Sequence, residues 1–133
     1  MERINAQGQG GGLTLLQVSE DSAATLGEVV TFTSYILNEG TQALLDVRLV
    51  PVSLNNAAMA HLSYINRFKE EELTTAALLP GAYVKWNFQY QIALPDIAAG
   101  GPIVSAMSAT ATAHDGAYLR AESDVVITVS EAS

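Results

Sequence analysis

The chain has 133 residues, no cysteine and two histidines, and its 6 basic residues against 14 acidic ones give a formal net charge of −8. The length is typical of one domain, and the absence of cysteine excludes disulfides and thiolate sites. An acidic chain is a poor partner for nucleic acid or anionic membranes, and no stretch approaches the ~18 consecutive apolar residues of a membrane-spanning helix.

The first twelve residues predict an arm on a hinge. They lack the basic start and apolar run of a secretory signal. Four glycines within five positions indicate a flexible connection, because glycine has no Cβ to restrict the backbone. We expect the arm to contact another subunit, the alternative being a disordered tail. The predicted contact residues are Met1, Glu2, Arg3, Ile4, Asn5, Ala6 and Gln7, and the hinge residues are Gly8, Gly10, Gly11 and Gly12.

From Leu13 onward the dominant pattern has the two-residue period of β-strands. A short apolar strand is predicted over Leu13–Val18. In the second, Val30, Phe32, Ser34 and Ile36 share one face. Apolar residues at alternate positions indicate that one face of such a strand is buried.

The third predicted strand spans Leu44–Val52, with Leu45, Val47 and Leu49 on one side. Because proline lacks an N–H, Pro51 either ends this strand or places it at a sheet edge. Another strand is predicted over Leu62–Phe68. The Lys69–Leu73 stretch is expected to be a polar connection.

The clearest strand in the chain lies between two turns. A turn is predicted at Leu79–Ala82, and Leu94-Pro95 ends the strand. An aromatic row opposite an amide-rich row predicts a half-buried antiparallel strand. The inward residues are Val84, Trp86, Phe88, Tyr90 and Ile92, and the outward residues are Tyr83, Lys85, Asn87, Gln89 and Gln91.

Two further strands complete the prediction. Ile103–Ala113 is rich in small residues, and an Asp-Gly hairpin turn at His114–Gly116 leads into Leu119–Val129. About seven or more strands separated by turn signals predict an all-β antiparallel sandwich. The expected organisation is an arm and hinge over residues 1–12 and one sandwich domain over residues 13–133.

Several of these segments resemble a known family. The sequence of Val30–Gly40, VTFTSYILNEG, resembles the opening strand of the bacterial and archaeal surface repeat called DUF11. Ala43–Leu49 resembles its next strand, and Gly81 with Val84, Trp86 and Phe88 resembles a later one. Ala109–Thr112 and the valine-rich end also fit. The resemblance implies an immunoglobulin-like module of fibre-forming or envelope proteins, without enzymatic activity.

Candidate reactive groups are better explained as structural or solvated residues. His61 and His114 could act as acid–base groups, but His114 lies beside the Asp-Gly turn and is expected to be a solvated loop residue. The Glu70–Glu72 run lacks the ligand spacing of a calcium loop. An isopeptide bond from Lys69 or Lys85 would need a buried lysine together with an asparagine and a carboxylate, and Lys85 is predicted on the outward face with Asn87. No phosphate loop or nucleophile elbow is present. We therefore expect no metal, no cofactor and no catalysis.

These observations predict a structural subunit of a self-assembling extracellular fibre, such as a pilus-like filament or a spore appendage. The arm would add to a sheet edge of the next copy, and Ile103–Ala113 is the leading expectation for the acceptor. The expected partners are other copies of the chain and an anchoring or tip protein, at the cell or spore surface, with neither nucleic acid nor membrane insertion. The alternative is a phage decoration or tail-fibre module, or another adhesive binding domain.

Overall fold

The structure, a computed structural model, describes residues 12–130 and the backbone of residues 3–6. The described residues form nine strands, one 3-10 helix and one short α-helix. The strands are β1 (Arg3–Ala6), β2 (Leu13–Ser19), β3 (Ala23–Thr25), β4 (Val29–Asn38), β5 (Leu44–Asn55), β6 (Thr74–Leu78), β7 (Tyr83–Gln91), β8 (Ile103–Thr112) and β9 (Tyr118–Ser130). The 3-10 helix is Glu70–Leu73 and α1 is Leu94–Ala99.

The strands form two facing sheets, so the all-β prediction is confirmed. One sheet has the order β1-β9-β8-β5-β6, with β3 also paired to β9, and the other has the order β2-β4-β7. All pairings are antiparallel except that of β3 with β9. The alternating apolar rows of both sheets supply the core. Its largest fully buried side chains include Phe32, Leu13, Leu15, Ile36, Leu44, Ile103, Met107 and Ile127.

The alternation predicted for β4 and β7 is present. On β4 every second residue from Val30 to Asn38 is buried. On β7, Phe88 and Tyr90 are buried, whereas Val84 and Trp86 are half-buried. The Trp86 indole N–H donates to the Glu72 carbonyl at 2.8 Å, which explains why this ring lies at the margin of the core.

The predicted inward row of β5 is wrong at its start. Leu44 is buried, whereas Leu45 is 39% exposed. Asp46 lies between these two leucines and Val47. Its φ is 47°, and the pairing of β5 with β8 shifts register at this point. The bulge inserts one residue into the alternation, so every residue before it changes face.

Strand β5 also runs further than predicted. It continues through Pro51 to Asn55, with a second register shift between Pro51 and Ser53. Its pairing with β6 ends at Arg48, so Pro51 lies where one side of β5 has no strand partner among residues 12–130. The edge position proposed for this proline is thus present, but the strand does not end there.

The segment predicted as a strand at Leu62–Phe68 is not one. It lies along β7 as irregular chain held by a few contacts: Ile65 N–H donates to the Gln89 carbonyl at 2.7 Å, and Asn66 Nδ2 donates to the Asn87 carbonyl at 2.7 Å. The rings of Tyr64 and Phe68 pack on Phe88 with centroids 5.0 and 5.1 Å apart. The period-two pattern therefore reflects packing against β7 rather than a ladder.

We expect Phe88→Ala to lower the free energy of unfolding by about 3–5 kcal/mol, because truncating a buried aromatic ring leaves a cavity. Phe88 is 2% exposed and contacts two aromatic rings of the Leu62–Phe68 segment. Lys85→Ala, an exposed position on the same strand, should change stability by less than about 0.5 kcal/mol. Urea unfolding followed by Trp86 fluorescence measures both, and equal midpoints would contradict the assigned face.

Candidate assembly site

The predicted arm forms a strand on the sheet of its own chain. Residues Arg3–Ala6 pair antiparallel with β9, with Ile4 opposite Val125 and Ala6 opposite Ser123. Both of these β9 residues are buried. Of the predicted contact residues, Met1, Glu2 and Gln7 lie outside the described residues, as do hinge residues Gly8, Gly10 and Gly11. The acceptor of this arm is therefore the outer edge of β9, and in this structure it belongs to the same chain.

The expected acceptor, Ile103–Ala113, is wrong for backbone pairing. It corresponds to β8, which is hydrogen-bonded to β5 on one side and β9 on the other. A strand with both edges paired has no free N–H and C=O groups to offer. Its small residues instead place it at the centre of the larger sheet, where Ala109 and Ala111 are buried.

The outer edge of β9 is shared by two short strands. β1 covers Ser123–Val126, and β3 runs parallel to Thr128–Ser130. Toward the β8–β9 hairpin, residues 118–122 have no strand partner on this side among the described residues. The β1 position is thus a four-residue slot, bounded at one end by β3.

A buried polar network joins the two sheets behind this slot. The Gln17 main-chain N–H donates to Ser123 Oγ at 3.0 Å. Its side-chain Nε2 donates to the carbonyls of Ser105 and Ser123 at 2.8 and 3.2 Å, and Ser105 Oγ donates to Gln17 Oε1 at 2.5 Å. Tyr64 OH shares a hydrogen bond with Ser105 Oγ at 2.5 Å. Because Gln17 is completely buried, these bonds satisfy groups that would otherwise destabilise the core.

The network also fixes how the two sheets are aligned along their strands. Gln17 on β2 lies beside Ser123 on β9, and Ser123 lies opposite Ala6 on β1. On β4, opposite Gln17, Ser34 Oγ is buried and has no hydrogen-bond partner among residues 12–130. No signal in the sequence identified Gln17 as a core residue, since its type is usually exposed.

Gly12, expected to be part of the hinge, is a packed residue. Its φ is +91°, and a Cβ there would lie 2.2 Å from the Gly40 nitrogen. The Gly12 carbonyl accepts from Glu39 N–H at 2.8 Å, and Thr14 Oγ1 donates to the Glu39 carboxylate at 2.5 Å. The connection to β1 is therefore anchored at Gly12. A recess of about 490 Å³ opens beside it, between the β4–β5 turn and the β8–β9 hairpin.

A second buried polar cluster holds the opposite end of the fold. Asp96 is completely buried and accepts from Tyr90 OH at 2.5 Å, Ala93 N–H at 2.9 Å and Asn56 Nδ2 at 3.0 Å. Burial raises the pKa of Tyr90, and the hydrogen bond to Asp96 raises it further. The side chains of Tyr90 and Asn56 are thus both paired with Asp96. The cluster ties α1 to β7 and to the turn after β5.

The remaining candidate groups are dispersed. His61 and His114 are exposed, one in a bridge to Asn55 and the other in the β8–β9 turn. Lys69 and Lys85 are also exposed. Within residues 12–130, no three His, Asp or Glu side chains converge as metal ligands, and no helix in that part of the chain is long and apolar enough to span a membrane.

Comparisons with known proteins identify no family for this chain. No family model matches the chain, and no curated protein matches it. Among solved structures, the sporulation control protein Spo0M of Bacillus subtilis is similar, with 20% identity and a TM-score of 0.46. The match covers 92% of this chain and 51% of Spo0M, so the chain spans about half the length of that protein.

We expect Gly12→Ala to destabilise the fold by more than Gly27→Ala. Both glycines have φ near +90°, but nothing lies within 4 Å of a Cβ built on Gly27. The left-handed backbone alone costs a non-glycine residue about 1–2 kcal/mol. At Gly12 the steric conflict with the Gly40 backbone adds to that cost. Thermal unfolding of the two variants measures the difference, and equal losses would show that Gly12 is not packed.

A pH dependence follows from Tyr64. Burial raises its pKa from 10.0 to about 12, and the hydrogen bond to Ser105 offsets part of the rise. An unfolded tyrosine releases its proton near pH 10, whereas the folded one holds it to about pH 12, so stability falls as pH rises between these values. Tyr64→Phe should flatten this fall. Tyr118→Phe should not, because Tyr118 is 72% exposed in the native chain. Denaturant unfolding between pH 9 and 12 tests both variants.

Proposed function

We propose that this protein is a structural subunit of a self-assembling extracellular fibre, in which β1 of one copy pairs with β9 of another. The observation that carries the proposal is the pairing of Arg3–Ala6 at the outer edge of β9. A four-residue strand joined to the domain through a glycine-rich sequence is the kind of element that identical chains exchange. In the closed form, β1 pairs with β9 of its own chain. In the exchanged form, β1 pairs with the same edge of β9 on another copy.

The closed and exchanged forms make the same β1–β9 contacts, so the balance between them is set by concentration and by contacts between copies. An attached strand competes at an effective concentration of the order of millimolar, which favours the closed chain in dilute solution. Exchange becomes favourable when copies are crowded or when a further interface forms. Each exchange that is not reciprocal leaves one slot open, and this open slot lets a chain of subunits grow.

The fold supports the module class implied by the family resemblance. We infer that the two facing sheets form an immunoglobulin-like sandwich of the surface-repeat type. The resembling segments Val30–Gly40 and Gly81–Phe88 contain most of β4 and the first part of β7, which pair with each other in the smaller sheet. Gly81 has a φ of +81° in the turn before β7, a backbone conformation that favours glycine.

A second candidate is favoured by the intramolecular pairing itself. A chain whose β1 stays in its own slot is a closed monomer, suited to a decoration or adhesive module that binds a surface without polymerising. The two functions differ in one measurable property, which is whether β1 of one copy reaches β9 of another.

The test uses the absence of cysteine from the chain. Asn5 lies opposite Asp124, so Asn5→Cys in one copy and Asp124→Cys in a second, differently tagged copy should form an intermolecular disulfide when the proteins are mixed under assembly conditions. As a matched control, Gln89→Cys replaces Asp124→Cys. Gln89 lies on β7 in the other sheet, and we expect no link.

An outcome without the mixed disulfide would contradict the fibre proposal. If the double variant Asn5→Cys/Asp124→Cys then forms an intramolecular disulfide, the closed module is the correct alternative. Ile4→Asp supplies a second test, because Ile4 lies opposite the buried Val125. We expect it to abolish the intermolecular link and to leave the domain folded.

A further inference from the structure

The chain between β1 and β2 limits where a second copy can lie. Six peptide units join Ala6 to Gly12, and they reach at most about 21 Å when fully extended. Gly12 is fixed against Gly40, so the limit is measured from a defined point on the domain.

Within one chain, the separation of Ala6 from Gly12 is close to this limit. Gln17 and Ser123 lie at one level because the Gln17 N–H donates to Ser123 Oγ, and Ala6 lies opposite Ser123. Five residue steps along β2 separate Gln17 from Gly12, a distance of about 17 Å. A connection of six peptide units can therefore place Ala6 no further along β9 than about its middle.

The direction of β1 adds a second restriction. Ala6, where the connection joins, lies on the side of the slot toward Tyr118, and Arg3 lies toward β3. A connection arriving from the other end of β9 would have to pass Thr128–Ser130, where β3 already occupies the edge. It would also have to cover the seven residues from Ser130 to Ser123, about 23 Å, before β1 could begin to pair.

We infer that copies exchanging β1 lie side by side, with the ends that hold Gly12 and the β8–β9 hairpin on the same side. End-to-end stacking, with the α1 end of one copy on the Gly12 end of the next, is excluded by the reach of the connection and by β3. Stacking of two Gly12 ends would use about 17 Å of that reach between Tyr118 and Ser123 and leave only about 4 Å for the hairpin turn and the gap between copies. The partner is a second copy of this chain, placed with its β9 edge within about 21 Å of Gly12. This inference rests on the proposed exchange.

The experiment is small-angle X-ray scattering of the disulfide-joined pair made from Asn5→Cys and Asp124→Cys. β9 has 13 residues and spans about 43 Å, and the larger sheet has five strands side by side, with a width of about 24 Å. A side-by-side pair should have a maximum dimension below about 70 Å, and an end-to-end pair should exceed about 85 Å.

A joined pair longer than about 85 Å would overturn the side-by-side arrangement and leave the exchange intact. Failure to form the mixed disulfide would overturn both. In a second variant, ten Gly and Ser residues are inserted between Gly10 and Gly11, which removes the length limit. We expect its mixed disulfide to form with a larger or broader maximum dimension. An unchanged value would overturn the role of the connection.

Discussion

The buried side chain of Gln17 holds the two sheets in one alignment. Its amide reaches the carbonyls of Ser105 and Ser123 on adjacent strands of the larger sheet, and its main-chain N–H reaches Ser123 Oγ. A polar group with no exposure is stable only while its partners stay in place, so sliding of one sheet over the other would break several hydrogen bonds together. The level of the β1 slot, and hence the distance between Ala6 and Gly12, depends on this contact.

Much of the smaller sheet could be predicted from the sequence because its strands alternate without interruption. Val30 to Asn38 and Val84 to Tyr90 keep one register over their whole length. The larger sheet was harder to predict from the sequence. A positive φ at Asp46 displaced Leu45 from the core, and nothing in the residue types near Asp46 requires such a bulge. Tertiary packing decided this conformation.

The assembly site shows the same division. The glycines after Gln7 indicated an arm, and the structure places a strand at Arg3–Ala6 within it. The acceptor could not be predicted, because edge status depends on the order of strands in the sheet. Gly12 looked like its neighbouring glycines in sequence, but its close contact with Gly40 comes from a turn 28 residues later.

The larger sheet has a second exposed border, along β5 beyond Arg48, and it is poorly suited to aggregation. Pro51 offers no N–H there, and the register shift between Pro51 and Ser53 distorts the border further. At the end of β5, Leu62 N–H donates to the Leu54 carbonyl at 2.8 Å and so occupies an acceptor that a foreign strand would need. An irregular border is a poor template for incoming chains, so unwanted sheet extension through β5 is disfavoured during expression and at high concentration.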